Sequence, residues 1–296
     1  MSSIDKFRGT GVALVTPFDE KGDIDFNALG RVIDHVIKGG VEYVVALGTT
    51  GETPVLTAKE KSEIVKYTIR IVAKRVGVVV GIGGNSTREV IQTISEYGFK
   101  GIDAVLSVSP YYNKPSQQGI YEHYKAVAAA SPLPIIVYNV PGRTSSNISA
   151  ETTLRLAREV KNIMAVKEAS GNMDQIMQII KHKPKDFLVI SGDDLITLPI
   201  LASGGDGVIS VIANAFPSEF SEMTRQGLAG DFGKARKLHY ELDEFTRLIF
   251  ADGNPAGVKC VLNMMKIAPP FVRLPLVQVN PKVENDLKAE YASYKK

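Results

Sequence analysis

The feature that most restricts the fold of this chain is an alternation of short β-type runs with helical segments along most of its 296 residues. Eight runs of four to seven residues are rich in Val and Ile and are bounded by Gly, Pro, Asn or Asp, which is typical of strands. They lie at residues 11–17, 43–47, 76–82, 104–108, 135–138, 163–167, 187–191 and 207–211. We therefore predict eight strands separated by helices.

Two of the intervening segments open with the pattern of a capping box, in which Ser or Thr is followed three residues later by Glu. These are Thr57 with Glu60 and Ser86 with Glu89. A third segment, residues 31–40, places four apolar side chains on one helical face and ends at two glycines. Each pattern indicates a helix.

Eight strands that each precede a helix, over roughly the 250 residues usual for this fold, predict a closed (β/α)8 TIM barrel. An open, doubly wound sheet is the alternative, because the number of strands does not show whether the sheet closes. The β-type runs cease after about residue 225, and helical patterns follow at residues 231–250, 254–267 and 283–295. We therefore predict a catalytic barrel over residues 1–225 and a C-terminal helical extension over residues 226–296.

The charge and the apolar pattern narrow the classes of partner. There are 35 Lys and Arg residues against 32 Asp and Glu residues, a net charge of +3 without a long basic run, which disfavours nucleic acid and anionic membranes as partners. No run approaches the roughly 18 apolar residues of a membrane span, and residues 1–18 lack the pattern of a signal peptide. The single cysteine, Cys260, cannot form an intrachain disulfide, so we expect a reducing cytoplasm.

In a parallel barrel the active site lies at the carboxyl ends of the strands and on the loops that follow them. This rule selects five short segments with polar side chains. They are residues 48–52 (GTTGE), 109–115 (SPYYNKP), 138–144 (YNVPGRT), 167–171 (KEASG) and 192–194 (GDD).

Lys167 is the unusual residue of this set, because it stands in an apolar strand. If its side chain points into the barrel, so do those of Ala165 and Ala169, whereas Val166 and Glu168 face the helices. Free lysine has a pKa of about 10.4, so about one amine in 2,500 is neutral at pH 7, and desolvation raises that fraction. A reactive amine and a lysine paired with a carboxylate of a neighbouring strand are both consistent with this position.

The other polar residues at the strand ends also have structural interpretations. Tyr138 can be a packed core tyrosine, and Thr49 and Thr50 can cap the following helix. Helix capping is our prediction for Asp193 and Asp194, since no histidine or third carboxylate at a strand end completes a metal site. The four histidines lie away from the predicted strand ends, which disfavours histidine acid–base chemistry.

Four motifs in this order, GTTGE, SPYYNKPSQ, YNVPGRT and KEASG, resemble those of the dihydrodipicolinate (4-hydroxy-tetrahydrodipicolinate) synthase family. This family belongs to the pyruvate-dependent class I aldolases, with N-acetylneuraminate lyase. The resemblance extends from about Gly9 to the C-terminal helices. It implies that pyruvate condenses with L-aspartate 4-semialdehyde to 4-hydroxy-tetrahydrodipicolinate, a step of diaminopimelate and lysine biosynthesis.

The resemblance also implies a catalytic set. Lys167 would form a Schiff base with pyruvate, and Tyr138 would donate and accept protons. Thr49 and Tyr112 would complete a hydroxyl relay, with Tyr112 reaching into the site of a neighbouring subunit. The family implies a homotetramer built as a dimer of dimers, and neither a metal nor an organic cofactor, because the protonated imine is the electron sink.

Three further residues would bind the substrates. By resemblance, Thr50 and Ile209 would contact pyruvate, and Arg143 would hold the carboxylate of the semialdehyde, which a planar guanidinium binds through two hydrogen bonds. N-acetylneuraminate lyase, or another pyruvate-dependent sugar-acid aldolase, is the alternative activity. Those lyases generally carry GST in place of GTT and lack this arginine, which favours the synthase. A barrel retained as a binding protein is disfavoured by the intact set of lysine, tyrosine and threonine.

One departure from the family concerns inhibition by L-lysine. Lysine-inhibited members bind the amino acid at the dimer interface near the GTTGE loop, and Asn85, Glu89 and Tyr111 fit their pattern. Ala58 and Lys61, however, stand where inhibited enzymes tend to have histidine. Ala58 removes a hydrogen-bonding partner, and Lys61 places a positive charge beside a cationic ligand. We therefore expect no inhibition or weak inhibition.

Overall fold

The computed structural model of the protein describes residues 4–294. Its eight strands are β1 Gly9–Ala13, β2 Tyr43–Ala46, β3 Gly77–Gly81, β4 Ala104–Val108, β5 Ile135–Asn139, β6 Ile163–Glu168, β7 Leu188–Ser191 and β8 Gly207–Ser210. Each strand pairs in parallel with the next, and β8 pairs with β1, so the sheet is a closed barrel. The predicted (β/α)8 barrel is confirmed, and the open sheet is excluded.

The described residues form thirteen α-helices. They are α1 Phe26–Lys38, α2 Ala58–Val72, α3 Thr87–Glu96, α4 Gln117–Ala130, α5 Pro141–Thr144, α6 Ala150–Glu159, α7 Met173–His182, α8 Thr197–Ala202, α9 Pro217–Leu228, α10 Phe232–Glu241, α11 Asp243–Ala251, α12 Ala256–Met264 and α13 Pro281–Tyr294. The first nine follow the strands, with α5 and α6 both after β5, and α10 to α13 come after the barrel. Within residues 4–294, no helix is both long enough and apolar enough to cross a membrane.

Two apolar clusters form the core on either side of the barrel wall. The inner cluster fills the barrel with side chains that include Val45, Ile136, Tyr138, Ala165 and Ile209. The outer cluster lies between the strands and the surrounding helices, and it contains the alternate strand residues. This two-sided burial explains why the strands read as continuous apolar runs in the sequence.

The predicted helix starts are present. Thr57 and Glu60 form a complete capping box at the start of α2, with the Thr57 side chain accepting from the Glu60 amide and the Glu60 side chain accepting from the Thr57 amide. Ser86 accepts from the amide of Glu89 at the start of α3, at 3.4 Å. In α1, the side chains of the predicted apolar face pack inward before the helix ends at Gly39.

Two predicted elements differ substantially from the structure. The first strand is Gly9–Ala13 and not 11–17, because main-chain pairing sets its limits and the apolar residues after Ala13 continue as a loop. The predicted helix at 231–250 is two helices, α10 and α11, with a turn at the buried Leu242. The turn allows Phe245 to pack on the rings of Phe216 and Tyr294, at centroid distances of 4.6 and 5.6 Å.

The predicted boundary after residue 225 lies within α9, which spans Pro217–Leu228. The division into a barrel and a helical extension stays a prediction. Residue 295 of the last predicted helix lies outside the described residues, as do residues 1–3 and 296 at the ends of the two predicted domains.

Candidate active site

A cavity of about 300 Å³ opens at the carboxyl ends of the barrel strands. Five residues selected from the sequence line it, and they are Lys167, Tyr138, Thr49, Thr50 and Arg143. The remaining wall comes from the end of β1, from several loops and from α11, through Ala13, Val140, Ala169, Gly192, Asp193, Leu195, Val211, Phe250 and Asn254. One concave site therefore collects most of the predicted set.

Lys167 lies near the end of β6, in register with Tyr138 of β5 and Ile190 of β7. Its residue is 5% exposed, and its Nζ lies 4.2 Å from the centroid of the Tyr138 ring. Within residues 4–294, no carboxylate lies at ion-pair distance from Lys167 Nζ. The interpretation of Lys167 as a member of a salt bridge was therefore wrong for the part of the chain described here.

The strand alternation around Lys167 is as predicted. Ala165 belongs to the inner cluster and Val166 to the outer one. Glu168 is fully buried on the helix side, where it accepts hydrogen bonds from Asn139 Nδ2 at 3.1 Å and Gln175 Nε2 at 3.0 Å. Burial raises the pKa of the Glu168 carboxyl, although these hydrogen bonds oppose the shift. The bonds from Asn139 join the ends of β5 and β6, the two strands that carry Tyr138 and Lys167.

The hydroxyl groups of the site lie on two different elements. Tyr138 is on β5, near the carboxyl end of the strand, whereas Thr49 and Thr50 begin a short 3-10 turn after β2. Thr50 is buried, and its Oγ1 accepts a hydrogen bond of 3.0 Å from Asn254 Nδ2. Among the described residues, no side chain lies within hydrogen-bonding distance of the Tyr138 hydroxyl or of Thr49 Oγ1. Residues 4–294 of one chain therefore contain no connected relay of hydroxyls.

Tyr112 stands apart from this cavity. It is 87% exposed, and it has a φ of 70°, in the left-handed region that is uncommon for residues other than glycine. The amide of Asn113 bonds to the carbonyl of Tyr111 at 2.8 Å, which closes a three-residue turn with Tyr112 at its centre. The turn holds the Tyr112 side chain in solvent, away from the Lys167 of its own chain.

Ile209 and Arg143 differ in their position relative to the cavity. Ile209 is buried in the inner cluster on β8, and it is not among the residues that line the cavity. Arg143 is on α5 at the exposed mouth, and no ion-pair or hydrogen-bonding partner of its guanidinium is found among residues 4–294. Arg143 also lines a second cavity of about 440 Å³, together with Thr49, Tyr111 and Tyr138.

Comparison with known proteins assigns the chain to a family. A sequence model described as the dihydrodipicolinate synthetase family matches residues 6–293. The chain belongs to this family. A protein of Parabacteroides distasonis named 4-hydroxy-tetrahydrodipicolinate synthase is 56% identical over 270 residues, which are 91% of each chain.

Solved structures of the family have the same fold. The dihydrodipicolinate synthase of Aquifex aeolicus superposes with a TM-score of 0.94 at 42% identity, over 98% of both chains. The chloride-inhibited dihydrodipicolinate synthase of Acinetobacter baumannii, solved in complex with pyruvate, has a TM-score of 0.94 at 37% identity, over 97% of this chain and 99% of the other.

The predicted helix-capping role of Asp193 and Asp194 was wrong for the helix that follows β7, since α8 has no side-chain cap. Asp194 reaches across to the next loop, where its Oδ2 accepts from the amides of Val211 and Ile212 at 3.0 and 2.9 Å. Burial raises the pKa of Asp194 to about 6. Asp193 accepts from the amide of Leu195 at 3.0 Å and lines the cavity. The two carboxylates therefore shape the loops after β7 and β8.

Asn254 lines the site from the loop before α12, and it was not among the site residues predicted from the sequence. A gap of 204 residues separates it from Thr50, so no local pattern connects the two. One signal was available in the sequence. Lys259 is a fully buried lysine in a mostly apolar helix. A charged residue in an apolar segment is the same feature that made Lys167 unusual in the sequence.

Proposed function

We propose that this enzyme condenses pyruvate with L-aspartate 4-semialdehyde to 4-hydroxy-tetrahydrodipicolinate, a step of diaminopimelate and lysine biosynthesis. Membership of the family and relatives that carry the synthase name over nearly the whole chain support the proposal. The observation that carries it is the environment of Lys167. A buried lysine, without a carboxylate partner among residues 4–294, faces Tyr138 in a cavity at the carboxyl end of a barrel.

The chemistry requires the neutral amine of Lys167. Its nitrogen attacks C2 of pyruvate, and loss of water gives a protonated imine. Removal of a proton from the methyl group then gives an enamine, because the imine accepts the electron pair. The enamine carbon attacks the aldehyde carbon of the semialdehyde, whose oxygen takes up a proton. Attack of the amino group of the semialdehyde on the imine carbon closes the ring and releases Lys167.

Tyr138 is our candidate for moving the protons of these steps. Its ring lies against Lys167, and its hydroxyl has no partner among the described residues, so it is available to the substrate. A single group can accept a proton in one step and return it in the next when a chain of hydroxyls connects it to solvent. Thr49, on the opposite wall of the same cavity, would be one member of that chain.

Substrate recognition is proposed for Thr50, Ile209 and Arg143. The Thr50 hydroxyl faces the cavity beside Lys167, where it would donate to the carboxylate of pyruvate, and Ile209 would support the floor below it. Arg143 lies at the mouth with an unpaired guanidinium, which suits the carboxylate of the second substrate. This arginine favours the synthase over a lyase acting on sugar acids.

We further propose that Tyr112 completes the site of a second copy of the chain. An exposed tyrosine, held in solvent by a strained turn, is consistent with an interface residue. The hydroxyls of Tyr138 and Thr49, which lack a partner in the described chain, would receive it. The family resemblance extends this to a homotetramer of two dimers, and we place the enzyme in the cytoplasm.

Borohydride reduction in the presence of pyruvate tests the central assignment. We expect a stable covalent adduct on Lys167, located by peptide mapping, and no adduct on a Lys167→Ala variant. Lys259 is a matched internal control, because it is also buried but is paired with Glu52, and it should stay unmodified. An adduct at another lysine, with Lys167 unmodified, would contradict the proposal.

A second assay separates the synthase from the alternative lyase. Turnover of pyruvate with aspartate 4-semialdehyde is measured beside cleavage of N-acetylneuraminate, with the same enzyme preparation. We expect turnover only in the first assay. Cleavage of the sugar acid without condensation would assign the alternative activity, and an adduct at Lys167 would be compatible with both.

A further inference from the structure

The helices after the barrel contact the catalytic turn of residues 49–52 at two places. Asn254, just before α12, bonds to Thr50, and Lys259 within α12 bonds to Glu52. We propose that Asn254 and Lys259 are positioning residues, which fix the Thr49–Thr50 turn for pyruvate binding. This inference rests on the proposed function of the turn, and it makes the helical extension a part of the active site.

Asn254 controls the direction of the Thr50 hydroxyl. Its Nδ2 donates to Thr50 Oγ1 at 3.0 Å, and both residues are buried. A threonine hydroxyl has one proton to donate and two lone pairs to accept with. Because Asn254 uses a lone pair, the proton of Thr50 stays available to a carboxylate in the cavity. Asn254 also lines this cavity, so a movement of its side chain would change the site.

Glu52 and Lys259 form an ion pair whose side chains are 1% and 0% exposed, with 2.5 Å between Glu52 Oε1 and Lys259 Nζ. Each member of the pair makes a further hydrogen bond. Glu52 Oε2 accepts from the amide of Arg273 at 3.0 Å, and Lys259 Nζ also donates to the carbonyl of Phe271 at 2.8 Å. The Lys259 ammonium further lies 4.4 Å from the centroid of the Phe18 ring. Removal of either charge would leave the other buried without the opposite charge of its ion pair.

The ion pair holds the turn in an unfavourable backbone conformation. Glu52 has a φ of 55° and a ψ of 35°, in the left-handed region, and its amide donates to the carbonyl of Thr49 at 3.1 Å. Such a conformation persists in a residue other than glycine only when its surroundings impose it. Lys259 and the amide of Arg273 together impose it here. A shift of Glu52 would therefore be passed directly to Thr49 and Thr50.

A second ion pair provides a matched control at the other end of the barrel. Lys183 Nζ lies 3.1 Å from Oδ2 of Asp206, a buried carboxylate that precedes β8. Lys183 also donates to the carbonyl of Phe187 at 2.6 Å, as Lys259 does to that of Phe271. A Lys183→Met variant loses the same kinds of bond as Lys259→Met, but it does so far from the cavity.

The test measures borohydride trapping on Lys167 as a function of pyruvate concentration, together with the KM for both substrates. For Lys259→Met and for Asn254→Ala, we expect the pyruvate concentration for half-maximal trapping to rise by about tenfold, since small displacements of positioning groups have effects of this order. The KM for the semialdehyde should change by less than about twofold, because Arg143 contacts neither residue. Lys183→Met should unfold at a lower temperature and keep the pyruvate dependence of the wild type.

The outcomes separate this inference from the proposed function. Wild-type pyruvate dependence in a folded Lys259→Met and in Asn254→Ala, with normal labelling of Lys167 in the wild type, would overturn the inference alone. Absence of labelling at Lys167 in the wild type would overturn both. If Lys259→Met does not fold, the result for Asn254→Ala decides whether the inference holds. This variant removes only the hydrogen bond to Thr50 and leaves the ion pair intact. An equal rise in the KM for both substrates would indicate a general loss of structure and would also overturn the inference.

Discussion

Gly192 faces the side chain of Lys167 so closely that a Cβ atom at position 192 would lie 2.9 Å from Lys167 Cε. The same atom would lie 2.8 Å from the Cβ of Ala169. Contacts this short require the neighbours to move. Gly192 thus leaves open the space beside the Lys167 side chain, in which the proposed attack on a carbonyl group would take place.

A Gly192→Ala variant should therefore crowd Lys167 without removing any functional group. We expect the rate of imine trapping with pyruvate to fall by about 10- to 100-fold, since misplacement by about 1 Å has effects of this order. The matched control is Gly142→Ala at the same mouth of the barrel, where a Cβ would meet nothing within 4 Å. An unchanged trapping rate in Gly192→Ala would show that Lys167 does not need this space.

The Tyr138→Phe variant tests the proton-transfer role. Removing the hydroxyl should lower turnover by about 10²- to 10⁴-fold, the usual contribution of a general acid–base group. Tyr124→Phe is the control, because the hydroxyl of this buried tyrosine bonds to the carbonyl of Ser107 at 2.9 Å in the barrel wall. The control should lose about 1 kcal/mol of stability and keep its turnover. Near wild-type turnover in Tyr138→Phe would make Tyr138 a packing residue.

Complementation between subunits tests the role of Tyr112. Tyr112→Phe and Lys167→Ala should each have low activity alone, and mixing them under conditions of subunit exchange should restore part of it. Restoration is expected because a mixed dimer contains one site with both an intact Lys167 and a partner's Tyr112. Tyr240→Phe is the control, since Tyr240 is also exposed but lies on α10. A fully active monomer in sedimentation experiments would contradict the shared site.

Arg143→Ala should raise the KM for aspartate 4-semialdehyde by about 10- to 100-fold and leave the KM for pyruvate nearly unchanged. The reason is that the lost ion pair, with two hydrogen bonds, is to the second substrate alone. Arg143→Lys keeps the charge but not the planar geometry, so it should recover only part of the loss. If both KM values rise equally in steady-state assays, Arg143 organises the site and does not specifically bind the second substrate.

Inhibition by L-lysine should be weak or absent. Lys61 lines the 440 Å³ cavity together with Tyr111, so its ammonium would lie in the region where a lysine ligand is expected by resemblance to inhibited relatives. Like charges disfavour binding there. The test is a titration of L-lysine at subsaturating pyruvate, and Lys61→His should increase the inhibition. Strong inhibition of the wild type below about 1 mM would show that Ala58 and Lys61 do not disable the site. Such inhibition would correspond to a binding free energy more favourable than about −4 kcal/mol.

The sequence by itself determined the number, order and type of the barrel elements. It also predicted that Lys167 shares one face of its strand with Ala165 and Ala169, because the two-residue period of a strand is a local property. The strand-end rule then brought Thr49, Tyr138 and Arg143 to the same end of the barrel. Local conformation and strand order were sufficient for these inferences.

The tertiary structure decided what depends on contacts between distant parts of the chain. Closure of the barrel is one case, because only the pairing of β1 with β8, which begins with Gly9 and Gly207, distinguishes it from an open sheet. An irregularity between β5 and β6 is another, since Ile135 pairs with Ile163 and Ile136 with Ala165. Met164 is therefore an extra residue in β6, and it lies in the inner cluster together with Ala165. Strict alternation would place Met164 in the outer cluster.

The same reason explains why the sequence did not reveal the second layer of the site. Asn254 meets Thr50, and Lys259 meets Glu52, across more than 200 residues of chain. The break at Leu242 likewise has no proline or glycine to announce it, and it follows from the packing of Phe245 on Phe216 and Tyr294. Local patterns encode helices, turns and faces, whereas the choice of partner for a buried polar or aromatic group is made only when the elements pack together.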